Sequence, residues 1–187
     1  MRKMSALAGI SAILIFVCLA IVPQGLSLAA QDRPRDGAVT SYLSVSPSQC
    51  QLTDKATSTL TWYSETDEFY FSTGYPESIW VDVPLHFPHQ AAIKSFTVYC
   101  TDNGSGVDEE IYFYLQRHKM SDGTTQTMAS NSTAGLASSA ARKVLTDGSI
   151  DYATVDNNVY SYSIVIRFRL GKATLKFNGA KIKYTTS

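Results

Sequence analysis

Helical periodicity is missing from this chain: after residue 30 no stretch of useful length repeats apolar residues every three or four positions, which argues against helical bundles and α/β folds. No internal repeat is present. Charge of one sign is missing too. Sixteen Lys and Arg balance sixteen Asp and Glu, so no basic field points to nucleic acid. Catalytic signatures are equally scarce. Gly104-Ser105-Gly106 is not a nucleophile elbow, which needs its serine between glycines two positions away on each side. No pattern positions a carboxylate pair for glycosidic chemistry. We therefore expect no enzyme and no cofactor.

Cysteine is the next scarcity, with three in 187 residues. Cys18 lies in the N-terminal apolar run. Arg2 and Lys3 precede an uncharged stretch over residues 4–22, then Pro23, Gly25 and Ser27-Leu28-Ala29-Ala30. That layout predicts a secretory signal helix over 1–29, cut after Ala29, where Ser27 and Ala29 fill the small-residue subsites. A retained membrane anchor is the alternative, because the run is nearly as long as the ~20 residues a spanning helix needs. After processing, fourteen basic residues face sixteen acidic ones, a formal −2, and no stable membrane insertion is expected. The expected location is outside the cell or at its surface, with the periplasm as the alternative. Cys50 and Cys100 remain. In an oxidising compartment the simplest expectation is a disulfide, contributing about 4 kcal/mol in the chain-entropy model; the other reading is two buried thiols that never meet.

What is present in quantity is two-residue alternation. Tyr160, Tyr162, Ile164, Ile166 and Phe168 fall on every second position and share one face of a strand. Ile79, Val81, Val83 and Leu85 alternate with Trp80 and Asp82. Phe96, Val98 and Cys100 form another ladder, as do Ile111, Phe113 and Leu115, with Tyr112 and Tyr114 opposite. Shorter strands are expected over 39–46, 57–64 and 69–71, and at 125–129 after the hairpin signal Asp122-Gly123. Residues 130–141, rich in Ser, Ala, Thr and Gly, read as a long loop with one helical turn at 136–142. In the last strand, Leu175 and Phe177 are odd-numbered whereas Ala180, Ile182 and Tyr184 are even-numbered. Asn178-Gly179 must therefore insert a bulge or turn a hairpin, and the bulge avoids placing Lys176 opposite Lys181. The expected fold is an all-β antiparallel sandwich, jelly-roll-like, with about ten short strands over 39–187 after a flexible lead-in at 30–38.

Ala92-Ile93-Lys94-Ser95-Phe96-Thr97-Val98-Tyr99, Thr101-Asp102-Asn103, Val155-Asp156-Asn157 with Tyr160 and Tyr162, and Gly179-Ala180-Lys181-Ile182-Lys183-Tyr184 together resemble β-sandwich modules of secreted bacterial proteins. The resemblance spans 80–184. Its motifs are structural, so it implies a fold and a compartment and brings no catalytic residue.

Candidate chemistry is thin. His86, His89 and His118 do not make a recognised zinc pattern, and no metal is expected there. Residues 102–110 concentrate oxygen ligands around glycines but depart from the EF-hand order, so an acidic solvated turn is expected ahead of a calcium site. Asn103-Gly104-Ser105 and Asn131-Ser132-Thr133 match glycosylation acceptors and read as ordinary loop residues in a bacterial protein. Arg167, Arg169, Lys172, Lys176, Lys181 and Lys183 would form a cationic stripe, able to meet an anionic polymer, lipid headgroups or the acidic 65–68 turn of another copy. The stronger lead is the outward aromatics Tyr63, Trp80, Tyr112 and Tyr114. They can pack under loops, bury against a second subunit, or stack on sugar rings. The first expectation is a secreted structural or adhesive module that self-associates or meets another surface protein through them; the alternative is a carbohydrate-binding module that takes a polysaccharide.

Overall fold

The alternations named above become strands in the computed structural model, which describes residues 37–53, 62–64, 67–72, 78–106 and 108–187. The expected leader, residues 30–36 of the lead-in, residues 57–61 of the second expected strand and the turn at 74–76 lie outside the described residues. Among those described there are eleven strands: β1 (Val39–Val45), β2 (Gln51–Leu52), β3 (Trp62–Ser64), β4 (Phe69–Phe71), β5 (Ile79–Leu85), β6 (Ala92–Asp102), β7 (Ile111–Lys119), β8 (Thr125–Ser132), β9 (Ser139–Asp147), β10 (Tyr160–Phe168) and β11 (Leu175–Thr186). Every pairing between them is antiparallel.

Two sheets result. Sheet A runs β3-β4-β11-β6-β9, with β1 also paired to β11, and sheet B runs β2-β5-β10-β7-β8. The pairs β4–β11, β5–β10, β6–β9 and β7–β8 are nested about one hairpin tip at Asp122-Gly123, and this double-sheet wrapping is the jelly roll. Gly123 takes the positive φ of +72° that the turn requires. Thr124 N–H donates to Asp122 Oδ1 at 2.9 Å, which closes the tip.

The core lies between the sheets and is rich in phenylalanine. Phe69, Phe71, Phe96, Phe113, Phe168 and Phe177 are all fully buried, together with Ile164 and Ile166 of β10 and Ile111 and Leu115 of β7. Phe168 of sheet B meets Phe71 of sheet A edge-on at 5.2 Å between ring centres and Phe69 at 6.0 Å. Phe113 and Phe177 make a second bridge at 5.9 Å.

The parity change in β11 is resolved by a bulge in one continuous strand. Phe177 pairs with Cys100 and Gly179 with Tyr99, leaving Asn178 as the extra residue. Leu175 and Phe177 point inward before it, Ala180 and Ile182 after it. Asn178 is held on both sides: its Nδ2 donates to the Asp67 carbonyl at 3.1 Å, and its Oδ1 accepts from Thr101 Oγ1 at 3.1 Å. Gly179 has φ +127°, and a Cβ there would sit 2.9 Å from the Val45 carbonyl oxygen. We expect Gly179→Ala to cost about 1–3 kcal/mol, read as a lower urea midpoint with an unchanged slope.

Several expectations need correction. Residues 130–141 are not one loop: β8 runs on through Ser132, β9 begins at Ser139, and no helical turn separates them. As an edge strand β9 needs only its backbone bonds to β6, so its exposed Ala140, Ala141 and Arg142 carry little apolar rhythm to read. Cys50 and Cys100 are free thiols, not a disulfide. Cys100 sits on β6 between β11 and β9, whereas Cys50 follows the 3-10 turn Pro47–Gln49 at the edge strand β2 of the other sheet. Burial pushes both thiols up to about 12, so neither is a reactive thiolate at neutral pH.

Candidate functional site

Because β5, β10 and β7 lie side by side, their even- and odd-numbered outward residues fall into rows. Trp80 pairs with Arg167 and Arg167 with Tyr112; Asp82 pairs with Val165 and Val165 with Tyr114; Pro84, Ser163 and Gln116 make the next row. These rows are the outer face of sheet B. Trp80 is 38% exposed, and Tyr112 and Tyr114 are half-buried beside it. The rings are close to parallel, Trp80 to Tyr114 at 6.4 Å and 26°, Tyr112 to Tyr114 at 6.5 Å and 5°. The Arg167 guanidinium lies between Trp80 and Tyr112, 5.4 and 5.7 Å from their ring centres. It is pinned there by Ser78 Oγ, which accepts from Nε at 3.1 Å and from Nη2 at 2.9 Å.

The expected aromatic set is thus divided. Trp80, Tyr112 and Tyr114 come together, but Tyr63 lies on β3 of sheet A, stacked on Tyr70 at 5.2 Å. The cationic stripe is divided as well: Arg167 belongs to β10 of sheet B and Arg169 follows that strand's end, whereas Lys176, Lys181 and Lys183 belong to β11 of sheet A. Lys176 pairs within the chain with Glu68 at 2.6 Å, and Lys181 lies over the Tyr42 ring at 4.1 Å.

Two members of the site were not placed with the aromatics in the sequence: Arg167 was read as part of the cationic stripe, and Asp82 only as a polar position between Val81 and Val83. Among the described residues Arg167 has no carboxylate partner, and Ser78 is what accepts from it. Among the described residues Asp82 has no hydrogen-bond or ion-pair partner: Oδ1 is shut away from solvent and accepts no hydrogen bond, a state that costs about 1–3 kcal/mol for a buried acceptor. The signal for Asp82 was its two-residue spacing from Trp80; that for Arg167 needed the register of β10 against β5, which no local pattern carries.

One end of the aromatic strip is anchored. Tyr112 donates its hydroxyl to Glu110 Oε2 at 2.5 Å, and Arg169 pairs with both Glu110 and Asp108. The hydrogen bond to Glu110, then burial, raises the Tyr112 phenol above its usual range, so it stays neutral at physiological pH. The other end leads past Pro84 to a cavity of about 330 Å³ lined by His86, Phe87, Asn157 and Ser161.

The acidic loop is neutralised by the chain's own cations. Glu109, buried, bonds Lys172 and accepts from Ser105 N–H at 3.1 Å; Asp102 Oδ1 accepts from Gly104 N–H. The Lys172 hydrogen bond leads the causes that hold the Glu109 carboxyl below its ordinary 4.5, against burial, which raises it. A carboxyl so depressed adds stability above pH 4.5 that is lost as pH falls through its folded value. Replacing it by Glu109→Gln is expected to flatten the decline of urea stability between pH 5 and the acid limit; an unchanged decline would show that the Lys172 pair does not contribute. Elsewhere His118 is occupied by Ser163 Oγ at 2.9 Å and Thr125 Oγ1 at 3.0 Å, and Nδ1 of His89 accepts from Asn157 N–H at 3.2 Å. Among the described residues no group of three or more His, Cys, Asp or Glu is placed to hold a metal ion. No helix among them is long and apolar enough to cross a membrane.

No family model matches the chain, and no curated protein matches it. Among solved structures it is similar to the C-terminal CBM6 of the laminarinase LamC from Zobellia galactanivorans, at 9% identity and a TM-score of 0.46, covering 76% of this chain and 98% of that one. It is also similar to the CBM22-1 xylan-binding domain of Xyn10C from Paenibacillus barcinonensis, at 10% identity and 0.40, covering 80% and 95%. The Eiger TNF of S. frugiperda stands at 6% identity and 0.41, covering 80% and 93%. These likenesses are too distant to bear on what the chain binds.

Proposed function

We propose that this chain is a non-catalytic, exported β-sandwich that binds carbohydrate across the outer face of sheet B. The observation that carries the reading is the convergence of Trp80, Tyr112 and Tyr114, with near-parallel rings, on one open sheet face. Aromatic faces stack on the C–H face of a sugar ring, while polar groups among them bond its hydroxyls. Asp82 and Arg167 stand among these rings without counter-ions among the described residues. The self-associating reading uses the same aromatics. A dry subunit contact there would bury both charges, at several kcal/mol each unless they pair across the interface, whereas hydroxyls satisfy them singly.

Two measurements on the purified chain decide between these readings. Retention on a panel of insoluble polysaccharides, with a single-chain mass by light scattering, is the expected outcome. A stable oligomer retained by none of the polysaccharides would replace carbohydrate binding with self-assembly.

A further inference from the structure

The ligand class follows from the two unpaired charges on this face, and the inference rests on the carbohydrate reading above. Asp82 is the more informative. It lies two residues from Trp80 on β5, on the same face, with Val165 of β10 opposite and Gln51 of β2 on its other side. Oδ1 is buried and unsatisfied, and no hydrogen bond or ion pair joins Oδ2 to any of the described residues. A carboxylate at a site that forms no ion pair and no hydrogen bond contributes nothing to the fold. The cation nearest in register is Arg167, beside Trp80 in the adjoining row, and Ser78 rather than Asp82 holds it. Glu110, Asp108 and Arg169 are engaged with one another at the far end of β7 and leave Asp82 unneutralised.

We infer that Asp82 is the site's hydrogen-bond acceptor for ligand hydroxyls, that Arg167 is the complementary donor, and that the site takes a neutral glycan and turns away uronate-rich chains. An ionised carboxylate accepts hydrogen bonds only, so a sugar must present hydroxyl donors to it. A uronate there would set two carboxylates together with one fixed cation between them, and repulsion of like charges is a means of rejecting a partner. The ligand is extended. From Trp80 on β5 to His86 just past its end the face spans about 20 Å at ~3.4 Å per residue, and the 330 Å³ cavity lies at the His86 end. Several sugar units in line are needed to cover that length.

The test is affinity electrophoresis and titration against three neutral polymers, cellulose, xylan and a β-1,3-glucan, and against polygalacturonate. Comparing wild type with Asp82→Asn, Asp82→Ser and Trp80→Ala separates the two claims. Wild type is expected to bind a neutral polymer and not polygalacturonate. Both Asp82 variants should bind that polymer at least tenfold more weakly; Asp82→Asn, which keeps a polar atom at the buried position, should melt close to wild type, and Asp82→Ser, which withdraws it, at or above wild type. Asp82 variants that bind as wild type does, while Trp80→Ala fails, would overturn the acceptor role and leave the aromatic platform standing. Preference of wild type for polygalacturonate would overturn the ligand class. Undiminished binding by Trp80→Ala, or no binding of wild type to any polymer, would remove the platform and this inference together.

Discussion

Phe168→Ala is expected to lower the unfolding free energy by about 3–5 kcal/mol, the range for deleting a buried phenylalanine side chain. Phe168 has no solvent exposure, and its ring touches Phe71 and Phe69 across the gap between the sheets. Those two rings belong to β4, a three-residue strand attached to β11 through Phe177 and Phe69. A short strand contributes few backbone bonds, so its hold on the sandwich depends on what its side chains meet. Deleting Phe168 leaves a cavity beneath them that neighbouring Gly171 cannot fill. Against a total of roughly 5–15 kcal/mol for a domain of this kind, the loss is a large fraction. Urea unfolding followed by tryptophan fluorescence would measure it. A loss below about 1 kcal/mol would mean that the two sheets are not joined at this point.

The second large effect concerns binding. Trp80→Ala should weaken retention on the bound polysaccharide by roughly thirtyfold, corresponding to about 2 kcal/mol for an aromatic anchor. The same substitution should change stability by less than about 0.5 kcal/mol, since the side chain is more than one-third exposed and lies on the outer face of sheet B. Tyr63→Ala is the control. Tyr63 stacks on Tyr70 in the other sheet, and its removal should leave binding unchanged. Equal losses from Tyr63→Ala and Trp80→Ala would indicate unfolding or a different surface.

The fold was legible where the chemistry is local. Alternation in 79–85, 111–115 and 160–168 announced strands with a defined inner face, and the odd-to-even switch between Phe177 and Ala180 announced the bulge. Both arise because a strand sends neighbouring side chains to opposite sides. The outward direction of Trp80, Tyr112 and Tyr114 followed from the same parity. What could not be read is what depends on strand order. Tyr63 has the same alternation signal as Trp80, yet pairing with β4 carries it to sheet A. Arg167 was grouped with the β11 lysines because they are near in sequence, although β10 and β11 belong to opposite sheets. Cys50 and Cys100 were a plausible pair by count alone, and only the topology places them on different sheets. Edge strands such as β9 are weakly encoded for a related reason: one side of their backbone is satisfied and few of their side chains must be apolar.

The most direct test is a heteronuclear NMR titration of the purified chain with a soluble oligosaccharide of whichever neutral polymer retains it, following the Trp80 indole N–H. The account predicts that this resonance and the amides of Asp82, Tyr112, Tyr114 and Arg167 shift together and saturate at one ligand per chain. Shifts confined to the 102–110 loop or to Tyr42, Tyr63 and Lys181 on sheet A, with Trp80 unmoved, would contradict it.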